Sequence, residues 1–196
     1  MGNKLISPDD IRKLESIAAE NPSSIIAGGF VRDTELGVGF KDIDVYIPGA
    51  SSRLTQRKLD KLGAYRTSGD YSGSNIYTYQ IKDSDINLVV VKDARNQEDL
   101  HNYVRRTFDV GLCMCWINLN DGSTYLTPEF IEDRDHKTLT IYYSNIYAES
   151  FGPCIRLPTM IFDKDPGVLL RVLDEHVPRL LKKYPDYGVR INYDIT

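Results

Sequence analysis

The sequence lacks the marks of several protein classes. No apolar run approaches the roughly 20 residues that a membrane-spanning helix needs, so no membrane association is expected. The opening M-G-N-K-L-I-S has no apolar core of the signal-peptide kind, and it carries Ser7 where a myristoylation signal wants Ser or Thr one place earlier. Cysteine is scarce: Cys113, Cys115 and Cys154 form neither a C-x-x-C pair nor a Cys/His cluster, which argues against a zinc site or a disulfide framework. An odd number of thiols without a signal suggests reduced cysteines, used as small buried hydrophobes, in a cytoplasmic protein. There is no basic excess either. With 28 acidic and 24 basic residues the net charge is −4, whereas a dedicated binder of long nucleic acid is usually basic, so no broad RNA-gripping surface is expected. No internal repeat or low-complexity tract appears.

What is present is ordinary for a water-exposed globular chain: 41% hydrophobic and 27% charged residues in 196, enough to bury a core. The chain is organised around Ile25 to Ile47, I-I-A-G-G-F-V-R-D-T-E-L-G-V-G-F-K-D-I-D-V-Y-I. A short apolar strand, Ser24 to Ala27, runs into Gly28 and Gly29 and then a helical turn with Arg32 and Asp33. Residues without a Cβ let the backbone approach a ligand closely, and their amides at a strand-to-helix junction suit an anion. Asp42 and Asp44 lie two apart on the next strand, so both carboxylates emerge on one face while Ile43, Val45 and Ile47 point into a core. Two oxygen ligands side by side suit Mg²⁺, or Mn²⁺ in its place, completed by substrate phosphates. An anion cradle beside such a site is equipment for attack on a nucleoside triphosphate.

This stretch resembles the signature of the DNA-polymerase-beta-type nucleotidyltransferases, and within them the head domain of the bacterial CCA-adding enzyme and poly(A) polymerase group, which carries G-G-x-V-R-D, a spacer and D-x-D. The resemblance implies an α/β fold, a mixed twisted sheet flanked by helices with a small C-terminal helical segment. It implies residues 1–160 as the nucleotidyltransferase-like domain and 161–196 as a helical appendage packed on it. It also implies that Gly28, Gly29, Arg32 and Asp33 serve the nucleotide and that Asp42 and Asp44 hold metal. Arg32 and Asp33 read equally as a surface ion pair, and Lys41 as solvated.

The remaining chain is read in order. Ser7-Pro8-Asp9-Asp10 starts a helix with a stripe of Ile11, Leu14, Ile17 and Ala18. Pro48-Gly49-Ala50 is a loop, Ser51 to Leu62 a polar helix, Tyr65 to Thr67 a short strand, and Ser68 to Ser74 a polar loop. Ile76 to Ile81 and Asp85 to Val91 are strands. On the second, Asp85, Asn87 and Val89 share a face. The superfamily places a third acid where Asp85 stands, to activate the attacking hydroxyl or share a metal. The plain alternative is an aspartate bonded to its own turn. A helix is predicted from Asn96 to Arg106, with His101 on its surface, and an apolar strand from Leu112 to Ile117.

Arg105-Arg106-Thr107-Phe108-Asp109 resembles the family's R-R-D-F-T, which implies nucleotide contacts for Asp109 and for one of Arg105 and Arg106, since adjacent helix residues cannot both point at one site. Thr107 stands where the family has Asp, and Asp109 where it has Thr. Asn120 to Ser123 is a hairpin turn. His136 reads as a loop residue among acids. Tyr142, Tyr143 and Tyr147 read as half-buried aromatics or base-stackers. Asp165 to Arg171 resembles the family's D-P-x-x-L-L-R helix start, followed by an amphipathic helix with Pro178 as a kink or a break. The family's E-D-x-x-R selector is missing, and no room is expected for tRNA-reading helical domains.

These features imply transfer of a nucleoside monophosphate from an NTP to an acceptor hydroxyl, with Mg²⁺ and release of pyrophosphate. Asp42, Asp44 and Asp85 are the catalytic candidates. The acceptor is an RNA end, a protein or a small molecule, and the enzyme is a minimal one of phage or bacterial type. A catalytically silent nucleotide-binding module of the same fold is the alternative. A toxin-like modifier of host tRNA or protein is a variant of the first reading.

Overall fold

The computed structural model describes residues 5–51, 56–67, 75–142 and 172–192. The boundary expected near residue 160, the Asp165–Arg171 motif, the Ser68–Ser74 loop, Tyr143, Tyr147 and Cys154 lie outside the described residues. The chain divides into two compact units, Met1–Asn102 with Cys115–Tyr125, and Tyr103–Met114 with Leu126–Thr196. Among the described residues no helix is long and apolar enough to cross a membrane.

The first unit is built on strands β1 (Ile25–Ala27), β2 (Ile43–Pro48), β3 (Ala64–Arg66), β4 (Ile76–Ile81), β5 (Ile86–Val91), β6 (Cys115–Asn118) and β7 (Thr124–Leu126). They form one seven-stranded mixed sheet in the order β3-β4-β5-β2-β1-β6-β7. Helices α1 (Pro8–Glu20), α2 (Gly29–Glu35) and α3 (Gln56–Lys61) belong to the same unit, and α4 (Gln97–Thr107) starts in it. This is the α/β architecture that the sequence implies.

Strand β2 is the middle of the sheet, parallel to β5 and antiparallel to β1. Its alternation decides everything around it. Ile43, Val45 and Ile47 are fully buried, together with Ile86 and Leu88 of β5 and Ile81 of β4. Asp44 and Tyr46, half-buried, take the opposite face. Just past β2, Gly49 opens a short 3₁₀ turn where the sequence suggests only a loop. A Cβ there would stand 2.7 Å from the Val91 carbonyl oxygen and 2.8 Å from the Lys92 Cα, so the position admits no side chain.

Helix α1 begins as its sequence dictates. Ser7 caps it by accepting from the Asp10 amide, with Pro8 in the first turn. Leu14 and Ile17 are buried, but Ile11 is 44% exposed. Its place in the stripe is taken by buried Asp10, whose carboxylate receives the Ser7 and Ser84 hydroxyls. His101, predicted on the surface of α4, is half-buried. It stacks on Trp116 with 4.5 Å between ring centroids and meets Asn118 Oδ1 at 3.1 Å. The strand predicted over Leu112–Ile117 starts only at Cys115. Residues Gly111–Cys113 make a 3₁₀ turn, closed by Cys113 N donating to Val110 O and Met114 N to Gly111 O. Cys113 and Cys115 therefore share no strand face, and only Cys115 is buried.

The second unit holds α5 (Pro128–His136), β8 (Thr138–Tyr142), α6 (Val177–Lys183) and β9 (Gly188–Asn192), with β8 and β9 parallel. Strand β9 is absent from the sequence reading, which treats this region as helical. The acidic run is also not a loop. Thr127 caps α5 by accepting from the Phe130 amide, and Lys137 ends it in a left-handed conformation, so His136 sits in a helical last turn. A π turn, Val172–His176, precedes α6, and Pro178 falls in the first turn of α6, where proline is tolerated.

Asp133 of α5 is 1% exposed and accepts from Thr140 N at 2.9 Å and Thr140 Oγ1 at 2.5 Å. Burial pushes its carboxyl above the ordinary value, against the pull of those hydrogen bonds. Its stabilising contribution is thus complete below the unfolded pKa and is lost as pH rises through the folded one. Asp133→Asn does not titrate. Its melting temperature relative to wild type is expected to be higher near about pH 7 than near about pH 3, on the two sides of the ordinary carboxylate pKa. Paired thermal melts at the two pH values check this.

Candidate active site

Asp42 immediately precedes β2 and Asp44 lies on it, with Ile43 between them facing the core. The two carboxylates share one face, and both line a single recess of about 590 Å³. The parallel register with β5 sets their neighbours. Ile43 pairs with Ile86 and Asp44 with Asn87, while the Ile43 amide donates to the Asp85 carbonyl at 2.8 Å. Continuing that register by one residue puts Asp85 across from Asp42. Ser84, Asp85, Asn87 and Val89 line the recess from the β5 side. Thr78 and Gln80 of β4 and Thr67, just past β3, carry the same surface further, and Lys41 lines the recess next to Asp42.

The electrostatics of the two acids differ. Burial pushes the Asp44 carboxyl above its ordinary value, and the charge of Asp42 adds to this. A hydrogen bond from Asn87 Nδ2, 3.0 Å from Asp44 Oδ1, and the charge of Lys41 pull the other way. Asp42 is 39% exposed, with Lys41 Nζ 3.2 Å away. Among the described residues no three Cys, His, Asp or Glu side chains gather as a self-sufficient cage. The donor set instead fits a hard divalent ion that takes two carboxylates from the protein and its other oxygens from substrate and water. A half-buried carboxylate beside a second one is the group whose charge such an ion would relieve.

On the other side of β2 lies the glycine turn. Ile25 pairs with Tyr46 and Ile26 with Val45, so the same register brings Ala27 across from Asp44 and leads the chain into Gly28 beside the acids. Gly28 has φ 77° and ψ −127°, a conformation that residues with a Cβ rarely adopt. Its amide is not turned to an anion, contrary to the sequence reading. It donates to the Cys115 carbonyl at 3.1 Å. The first-turn amides of α2, which have no partner within the helix, are what the turn offers instead.

Arg32 and Asp33 are a buried pair rather than a surface one. Arg32 Nε and Nη2 each lie 2.7 Å from Asp33 Oδ1, and the residues are 7% and 2% exposed. The guanidinium lies against the turn: a Cβ at Gly29 would be 3.6 Å from Arg32 Nη2. Asp33 thus fixes a cation next to the glycines.

The other nucleotide-site candidates belong to the second unit. Arg105 and Arg106 are exposed in the last turn of α4. Thr107, at the position of the family's aspartate, is 3% exposed, and its hydroxyl donates to the Tyr103 carbonyl at 2.7 Å. Asp109 holds His176 Nδ1 at 2.9 Å, a pairing across 67 residues that no spacing reveals. The residues that sequence reasoning leaves out of its candidate set are Asn87, Gln80, Thr78, Thr67 and Ser84. The alternation of β4 and β5 places Thr78, Gln80 and Asn87 on a face, but only the strand order brings that face to the acids.

No family model matches the sequence, and no curated protein matches it. Solved structures do. A CCA-adding enzyme in complex with ATP superposes with a TM-score of 0.59 at 16% identity, covering 94% of this chain and 40% of that one. The Thermotoga maritima CCA-adding enzyme complexed with tRNA gives 0.55 at 16%, covering 95% and 40%. A tRNA-processing enzyme in an apo form gives 0.55 at 20%, covering 95% and 45%. The fold is thus of the nucleotidyltransferase type, close to the head domain of that group, and the chain spans less than half the length of these structures.

Proposed function

We propose that this chain, with its nucleotidyltransferase fold, moves a nucleoside monophosphate from an NTP to an acceptor hydroxyl and releases pyrophosphate. One observation carries the reading: Asp42 and Asp44 face one recess on the central strand, with the glycine turn on one side and Asp85 on the other. Asp42 and Asp44 would hold Mg²⁺, which when bound supplies the positive charge that draws electrons from the α-phosphate oxygens. The first turn of α2 and the Arg32 guanidinium would orient the triphosphate. Asp85 would accept the proton of the attacking hydroxyl as the oxygen–Pα bond forms and the Pα–O–Pβ bond breaks.

The test is pyrophosphate release from each of the four NTPs, with a panel of acceptors, in Mg²⁺ and in excess chelator. Release that needs both the metal and an acceptor supports the reading. Release unchanged by chelator would reject it. The silent nucleotide-binding module has one observation of its own, the buried Thr107 hydroxyl where the family carries a carboxylate. Metal-independent nucleotide binding without release would favour that alternative.

A further inference from the structure

We infer that the β4–β5 side of the recess is the acceptor subsite, and that it takes a small phosphate-free compound carrying a vicinal diol. The inference rests on the nucleotidyl-transfer reading and names the substrate class that reading leaves open. The strand order supplies the first argument. The glycine turn and Arg32 lie on the β1 side of the acids, whereas the recess runs the opposite way, over β5 and β4 towards β3. A triphosphate held at the turn leaves the β4–β5 surface to the attacking molecule.

The lining supplies the second. Gln80 and Asn87 are cross-strand partners, so their side chains stand side by side on the recess face. Each amide is already set by a neighbour. The Tyr65 hydroxyl donates to Gln80 Oε1 at 2.7 Å, which leaves Nε2 to donate. Asn87 Nδ2 donates to Asp44 Oδ1 at 3.0 Å, which leaves Oδ1 to accept. A fixed donor next to a fixed acceptor matches two adjacent hydroxyls, one accepting and one donating. Thr78 and Thr67, joined through their hydroxyls at 3.1 Å, continue the polar wall.

Charge supplies the third. The described residues lining the recess carry three carboxylates, Asp42, Asp44 and Asp85, against one cation, Lys41, and Lys41 is paired to Asp42. A bound divalent ion would offset the first two acids. Every described residue that β4 and β5 contribute is uncharged, and the turn before β5 adds Ser84 and Asp85, so among the described residues no cation lines that side of the recess to meet a phosphate. A nucleic-acid end, which needs such contacts, is disfavoured.

The test measures pyrophosphate release with Mg²⁺ and the four NTPs, using glucose, glucosamine, myo-inositol or a 3′-hydroxyl RNA oligonucleotide as acceptor. NTP binding is followed separately by calorimetry. Release stimulated by at least one of the three polyols is expected. Gln80→Ala, at an exposed position, should raise the KM for that polyol about three- to tenfold, the loss of one hydrogen bond, and leave the KM for NTP unchanged. Stimulation by RNA alone overturns the inference and leaves nucleotidyl transfer standing. A polyol KM unmoved by Gln80→Ala overturns the placement. No stimulation by any probe overturns the inference, and absent NTP binding then removes the underlying reading as well.

Discussion

Replacing Asp44 by asparagine is expected to lower Mg²⁺-dependent pyrophosphate release by about a hundred- to a thousandfold or more while the protein stays folded. The ion held by Asp42 and Asp44 would stabilise developing negative charge by several kcal/mol, and each ~1.4 kcal/mol is a factor of ten in rate. Asparagine keeps the shape of the side chain and one oxygen for Asn87 Nδ2, so the hydrogen bond across β2 and β5 persists. It also removes a carboxylate whose charge burial disfavours, so no loss of stability follows from the change. The pairing of outcomes is what matters: turnover falls, and the thermal melt does not. Asp42→Asn should behave alike, although its greater exposure gives less electrostatic leverage. Turnover at the wild-type rate in either variant would exclude these residues from metal binding.

Gly28→Ala is expected to act through the fold. At φ 77° and ψ −127° an alanine pays about 1–3 kcal/mol in backbone strain. The turn has no room to relax. Gly28 donates to the Cys115 carbonyl at 3.1 Å, and its own carbonyl accepts from the Arg32 amide at 3.0 Å, so β6 and α2 hold it from two sides. For a chain of this size the melting temperature should fall by about 2–12 °C. Gly29→Ala is the contrast. Gly29 is the first helical residue, and an added Cβ makes an ordinary contact with Arg32 Nη2 at 3.6 Å, so stability should hardly change. If the turn seats a triphosphate, nucleotide affinity should weaken in Gly29→Ala nonetheless, since the methyl group stands where the ligand approaches. Differential scanning calorimetry and nucleotide titration of the two variants separate the roles.

Local pattern carried much of the fold. The i, i+2 spacing of Asp42 and Asp44 against Ile43, Val45 and Ile47 was enough to place both acids on one face, because strand alternation has a period of two wherever one side is buried. Ser7 and Thr127 show where that sufficiency fails. Both cap helices by the same hydrogen bond, but the stripe after Ser7 is apolar enough to announce a helix, whereas the acidic residues after Thr127 resemble a loop until Phe130 is seen to be buried. Strand β9 was illegible for a related reason: Val189 is 44% exposed, so burial leaves little alternation to read.

Among the candidate residues of either unit the division follows range. Gly28, Gly29, Arg32, Asp33, Asp42 and Asp44 lie close together in the chain, where dihedral preference and side-chain period act, and residue order alone marks them. The burial of the Arg32–Asp33 pair, the use of the Gly28 amide by Cys115, the Asp109–His176 contact and the polar wall of Gln80 and Asn87 join segments far apart in the chain or depend on what packs over them. Those were decided only in the tertiary structure, because hydrogen-bond partners and desolvation belong to neighbours that no local pattern names.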